Sequence, residues 1–409
     1  LTNQVPQREK LDWLTAGQFS FSLLASLLLM GSSLVGTLMM SLGGSFAGLT
    51  VTENQLGSSL LFSAGLGFAG FLMIPSTYFS GRRLFGKSPR TSKIWQGSDW
   101  LIFSVPILIY LGYLSQANSS WGNFTLPLIH ILTNGAAIFW LLNRVKRKLP
   151  GESAQRFWGA FGSGLTFSPL IALIVEFLIL ILFGILWWML LQNQPDQKQE
   201  LMNLINRLQQ SSVTPAIFER TISRLLESPG VVGTAFVYIA VIVPVVEELI
   251  KPIVVFLLLG RNLTPREGFL LGAAAGAGYA LFENLTIAAD AEIWTFVVIS
   301  RLGTAAIHIL TTALVGWGLA SAWTEKRYTR FLMSLIASIS LHGVWNGLNI
   351  LTALAEIPSI QPSLGSFGTY FAGYAPVGLV ILALGALMGL FWANSRFQRA
   401  IMSQINQNK

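Results

Sequence analysis

Apolar runs of about twenty residues recur along the chain, at about 19–41, 60–79, 100–115, 124–142, 168–191, 231–259, 268–288, 294–322, 331–355 and 370–393. A helix rises ~1.5 Å per residue, so a run of this length crosses the ~30 Å hydrocarbon layer of a bilayer. The pattern predicts an all-α polytopic membrane protein of about ten spans. The third run is short and carries Pro106, and the first is too long for a signal-peptide core, so it reads as a retained anchor. Between runs five and six, Leu201, Leu204, Ile205 and Leu208, then Ile217, Phe218, Ile222, Leu225 and Leu226, recur at helical spacing. That spacing predicts two short amphipathic helices on the outer membrane surface. The resulting division is an N-terminal four-span region (1–165), a fifth span (166–191), an outer loop (192–230), a core of spans six to nine (231–355), and a last span with its tail (356–409).

Composition agrees with a lipid-facing exterior. Of 409 residues, 53% are hydrophobic and 11% charged, against roughly 25% charged in soluble domains. A chain with so few polar side chains cannot wet the outside of a globule, which excludes a soluble enzyme. The net charge of +8 does not imply nucleic acid, because its 26 Lys and Arg are scattered over short loops rather than gathered on one face. Twenty of them fall in the two tails and alternate loops; four (Lys198, Arg207, Arg220, Arg224) fall in the 192–230 loop, and Lys251 and Arg301 lie inside spans. By the positive-inside rule both termini are expected in the cytoplasm and the protein in the cell (inner) membrane. The absence of cysteine excludes a thiol nucleophile and thiolate-bound zinc.

Ionisable residues inside spans are costly, so each needs a partner or a task. Span six carries Glu247, Glu248 and Lys251; span seven Glu283; span eight Arg301 and His308; span nine His342. Counted from the expected cytoplasmic ends, Glu247, Glu283, His308 and His342 all lie roughly 16–22 Å deep. Four helices thus bring carboxylates and imidazoles to one level. Helical stripes extend the pattern: Arg301, Thr304, His308 and Thr311 or Thr312; Ser338, His342, Asn346 and Asn349; Tyr279, Glu283 and Thr286. Pro244 and Pro252 are expected to kink span six beside its carboxylates. His130 reads as a partly wet, satisfied histidine and Glu176 as structural. Gly272, Gly276 and Gly278 read as close helix packing rather than a nucleotide loop.

No aspartate lies in a span and no HExxH motif occurs, which excludes an aspartyl dyad and a zincin; the Gly162-Ser163-Gly164 sequence has no suitably placed histidine. Glutamate and histidine chemistry remains: a carboxylate to deprotonate water, with imidazole and amide groups to hold an oxyanion or a metal.

Glu247-Glu248-x-x-Lys251, Tyr279-x-x-x-Glu283-Asn284, His308 and His342-x-x-x-Asn346, in that order, resemble the motifs of the PrsW-type intramembrane proteases, whose superfamily includes the CAAX-processing and bacteriocin-processing proteases. The resemblance covers about 230–350. Tyr279 stands where Phe is more usual, and Glu283 stands where CAAX endopeptidases carry His, so prenyl-cysteine substrates do not carry over. The resemblance implies an intramembrane endopeptidase with Glu247 as general base, Glu248 as its orienting or Lys251-paired neighbour, and Glu283, His308 and His342 completing the site. Asn346 is the candidate oxyanion donor, and Arg301 joins Lys251 as a charge partner. The implied substrate is a membrane protein with a single span in the bilayer, such as an anti-sigma factor. Glu283, His308 and His342 also form a possible Zn2+ set with one open position, with a metal-free glutamate mechanism as the alternative. Two rival functions fit the same residues: a proton-coupled transporter and a catalytically silent helix-binding scaffold.

Overall fold

A computed structural model describes residues 12–46, 53–92, 98–116, 119–147, 149, 153–191, 229–287, 293–355 and 361–407, with short pieces between 198 and 206. The described residues are helical throughout, apart from turns and one isolated bridge between Thr91 and Ser153. In chain order the helices are α1 (Trp13–Phe46), α2 (Glu53–Leu72), α3 (Ile74–Leu84), α4 (Leu101–Gln116), α5 (Ser119–Lys146), α6 (Ala154–Gly162) and α7 (Ser168–Leu191). They continue with α8 (Pro229–Val237), α9 (Val243–Ile250), α10 (Ile253–Leu257), α11 (Pro265–Thr286), α12 (Trp294–Glu325), α13 (Tyr328–Ala355) and α14 (Gln361–Gln407).

Seven described helical stretches are long and apolar enough to cross a membrane. They correspond to expected spans one, two, four, five, eight, nine and ten. The other three differ for physical reasons. α4, with Pro106 inside it, has only 16 residues. Span six is broken into three helices. α11 has 22 residues and is built from glycine, alanine and polar side chains as much as from large apolar ones. The amphipathic pair expected over 192–230 falls almost entirely outside the described residues.

α11 sits at the centre. Thr264 and Glu267 close a capping box at its start, with Pro265 in the first turn, so the helix begins sharply. Its glycines set the packing distance. A Cβ on Gly268, Gly272 or Gly276 would meet the carbonyl oxygen of Gly316, Thr312 or His308 on α12. One side chain-free contact per turn lets the two backbones touch, the close packing expected of small residues in membranes. On its other side, Gly278 packs against the Phe161 carbonyl and Gly164 against that of Ala275, where α6 runs into a π turn at Ser163–Phe167. The largest apolar cluster surrounds this pair, with Leu271, Leu281 and Ile309 buried among side chains of α2, α5 and α6.

The loops expected to share one side of the membrane do meet at one end of the bundle. Asp12 pairs with Arg261 at 3.0 Å and Arg83 at 3.7 Å, and Arg156 donates to the Arg261 carbonyl at 2.9 Å. Near the C-terminal end of α14, Asn394 and Gln398 donate to the carbonyls of Val145 in the last turn of α5 and Arg147 just beyond it.

Candidate active site

The site begins with the break in span six. α8 ends in a π turn, Tyr238–Ile242, immediately before Pro244 in the first turn of α9. Pro244 has no N–H to give, and the extra residue in the π turn accommodates its ring. After α9, Lys251 and Pro252 form a turn before α10. The expected kink is therefore two interruptions, and Glu247, Glu248 and Lys251 lie on the short helix between them.

All three are buried. Lys251 Nζ lies 2.7 Å from Glu247 Oε2, 2.9 Å from Glu248 Oε1 and 2.6 Å from His308 Nδ1. Its hydrogen bonds go to Glu248 and His308, Glu247 Oε2 meets it as an ion pair, and its charge also stands 4.7 Å from the centre of the Tyr279 ring. The two glutamates differ in what else they touch. Glu248 Oε1 additionally accepts from Thr311 Oγ1 and His342 Nδ1, each at 3.0 Å, and Glu248 has no exposed surface. Glu247 lines a cavity of about 370 Å³, whereas Glu248 does not. Neighbours about 100° apart on one helix have taken separate positions, one at the cavity wall and one behind it.

The histidines are held from behind as well. His342 Nδ1 donates to the Glu248 carboxylate, which leaves Nε2 directed at Glu247 Oε2, 3.8 Å away. His308 Nδ1 accepts from Lys251, so its Nε2 carries the proton and donates to Glu283 Oε2 at 3.0 Å. These tautomers follow from the network, since an ammonium cannot accept and a carboxylate cannot donate. The two rings meet edge to face with centres 4.8 Å apart.

Glu283 continues outward into a second chain of contacts. Arg301 donates to Glu283 Oε2 at 2.5 Å and to Asn284 Oδ1 at 2.9 Å. Asn284 Nδ2 donates to Asn134 Oδ1 at 2.8 Å, and the Asn284 carbonyl accepts from His130 Nε2 at 2.8 Å. Trp294 Nε1 completes the chain by donating to His130 Nδ1 at 3.1 Å. His130 is satisfied, as expected, but fully buried rather than partly wet. Asn134 and Trp294 are the members that spacing did not single out as partners, whereas Thr311 stood in the span-eight stripe. Asn134 stands four residues after His130 on one helical face, which is the one local signal that could have found it.

Glu247, Glu283, Arg301, His308, His342 and Asn346 all line the cavity. Asn346 Nδ2 donates to the Ile239 carbonyl in the π turn at 3.0 Å, so the amide is held at the wall with one N–H left over. Phe296, Val243 and Ile239 form an apolar lip.

One ligand atom each from Glu247, His308 and His342 lies within 4.8 Å of the others, all buried. The carboxylate differs from the expected grouping: Glu247, rather than Glu283, completes the set, while Glu283 bonds to Arg301 and to His308. Two imidazoles and a carboxylate fit a hydrolytic divalent metal. His342 Nε2 carries a free lone pair. His308 offers one only by giving up either its proton at Nε2 or its bond to Lys251.

With this geometry in hand, comparison with known proteins is decisive for one region. Residues 209–382 match the PrsW family intramembrane metalloproteases. No curated protein and no solved structure matches the chain. The PrsW match spans every candidate site residue and supports an intramembrane protease acting on a membrane-protein substrate. It covers less than half of the chain, and α1–α7 lie outside it.

Proposed function

We propose that the chain is an endopeptidase that hydrolyses a peptide bond of a single-span membrane protein inside the bilayer, with Glu247 as general base. The observation that carries this reading is the convergence of Glu247, His308 and His342 at the wall of a cavity bordered by apolar side chains. Glu247 takes a proton from water, and the Lys251 ammonium holds the side chain that does so. Glu248 is the positioning residue behind it, holding His342, Lys251 and Thr311 through one oxygen. His308 is held in place by Lys251 and Glu283, and Asn346 presents its remaining N–H toward the oxyanion of the attacked carbonyl. If a metal is bound, Glu247, His308 and His342 hold it, and it supplies a more acidic water and a Lewis acid beside the carbonyl. The 20-to-4 division of loop basic residues supports cytoplasmic termini and an outer 192–230 loop.

The test is incubation of purified protein with a library of tagged single-span substrates, beside Glu247→Gln and His342→Ala. Cleavage by wild type and its loss in both variants is the expected result. Transport of a solute in liposomes with no cleavage would overturn it in favour of a carrier.

A further inference from the structure

A second cavity, about 570 Å³, lies at the opposite side of span six, at the basic end of the bundle. Its floor is apolar, formed by Phe21 from α1, Phe167 from the π turn, and Val254 and Leu258 at and beyond α10, with the exposed Trp13 and Leu257 at its edge. Its rim is not. Arg83, Arg156 and Arg261 surround it, with Asp12 as the one lining carboxylate among the described residues. Glu267 stands 4.0 Å from Arg156. Even if Asp12 and Glu267 each neutralise one guanidinium, one positive charge is left over. Asp12 is ionised at neutral pH: although burial works against the charge, bonds from Thr15 and Arg261 hold its pKa below the usual value. Ser163, which also lines the cavity, is more than nine-tenths buried, and its Oγ has no hydrogen-bond partner among the described residues.

An apolar floor under a rim with one surplus positive charge fits a molecule with the reverse arrangement. We propose that this cavity binds an anionic phospholipid, with acyl chain between α1 and α10 and a phosphodiester at Arg83, Arg156 and Arg261. The size falls within the ~300–1,000 Å³ range of ligand pockets, and basic pockets between membrane helices are a known setting for lipid head groups. α1 has only 6% of its most apolar stretch buried, as little as the stretch containing α7. A lipid shared with α10 adds contact there. The chain's own first residues are a poorer occupant, because residues 1–11 carry Arg8 and Lys10 against Glu9 and would add positive charge to a positive rim.

The test is lipid binding to the purified full-length protein in neutral detergent, read by native mass spectrometry and by photo-crosslinking, with phosphatidylglycerol and phosphatidylcholine of identical chains. Wild type should prefer phosphatidylglycerol by about tenfold or more, the effect of one or two arginines near a head group. Arg83→Gln with Arg261→Gln should remove the preference. Gly17, which lines the cavity, has nothing within 4 Å of where its Cβ would stand, so Gly17→Phe should lower binding of both lipids without disturbing the fold. Inorganic phosphate is the arm that separates sources. Competition by phosphate alone, with no dependence on the acyl chain, would overturn the lipid and leave an anion site. Equal binding of the two lipids by wild type, or crosslinks away from α1, α3, α6 with its π turn and the 254–262 segment, would overturn the proposal outright.

Discussion

α7 and α11 carry opposite relations between hydrophobicity and burial. The stretch containing α7 is the most apolar of the candidate spans, yet only 6% of its central window is buried. α11 carries glycines, alanines, two glutamates and an asparagine, and 16 of its 22 residues are buried. In water the ranking would be reversed. In a bilayer the lipid tails are as apolar as leucine, so an all-leucine helix gains nothing by moving inward, while small and polar residues gain close contact and hydrogen bonds there. The polar interior is therefore where both tight packing and chemistry concentrate, and the perimeter tolerates change.

Substitution of carboxylates in the two regions gives the largest expected contrast. Glu247→Gln should lower cleavage of any accepted substrate by about 10²–10⁴-fold, the usual contribution of a positioned base, with thermal stability in detergent retained. Glu176→Gln on α7 should leave cleavage within about twofold. Equal losses in both would erase the distinction between interior and perimeter and remove Glu247 from the reaction.

Lys251 is the next point of leverage. Its removal strands Glu247 and Glu248 without their shared cation, and breaking a buried pair by deleting one partner costs about 3–5 kcal/mol. Lys251→Ala should show this as a large fall in melting temperature and yield, whereas Lys198→Ala in the 192–230 segment should change neither. Metal content of a surviving Lys251→Met preparation sharpens the result. If His308 is a ligand, freeing it from the ammonium should raise zinc retention, and an unchanged metal content on both proteins would separate His308 from any metal.

How much of this could be read beforehand follows the same division. Glu247, Glu283, His308 and His342 stood out because each is an ionisable group in an apolar run, and helix rise alone put them at one depth. Their pairing was less visible. Which glutamate faces the cavity depends on the rotation of α9 between two breaks, and a π turn ahead of Pro244 leaves no mark in apolar periodicity. Glu247 rather than Glu283 beside the two histidines is of this kind, as is Arg301 claiming Glu283 from α12. Spans were legible where they are uniformly apolar. α11 was legible as an apolar run over 268–288 although small residues fill much of it, and α4 was the weakest span because it is short and carries Pro106.

Glycines on the two helices give a smaller and cleaner contrast. At Gly276 a Cβ would press on the His308 carbonyl, and at Gly184 on α7 it would meet nothing within 4 Å. Gly276→Ala should therefore cost about 1–3 kcal/mol through backbone displacement and should disturb His308 with it, lowering activity. Gly184→Ala should be neutral or stabilising by a few tenths to about 1 kcal/mol through helix propensity. A destabilised Gly184→Ala would show that α7 packs against something further.

The smallest effect belongs to the exposed basic end, where solvent screens what the interior does not. Asp12 bonds to Arg261 and Thr15, and these partners hold its pKa below the ordinary carboxylate value against the opposing effect of burial. A carboxyl whose folded pKa is depressed contributes stability that is full above its unfolded pKa and is lost as pH falls through the folded one. Both arginines are more than two-fifths exposed, so screening limits the contribution to less than about 1 kcal/mol. Asp12→Asn should lower the melting temperature slightly at pH 7, less at high salt, and not at all once the pH is below the wild-type folded pKa. A loss that is large, or that persists in acid, would mean that Asp12 holds α1 to α10 by more than its charge.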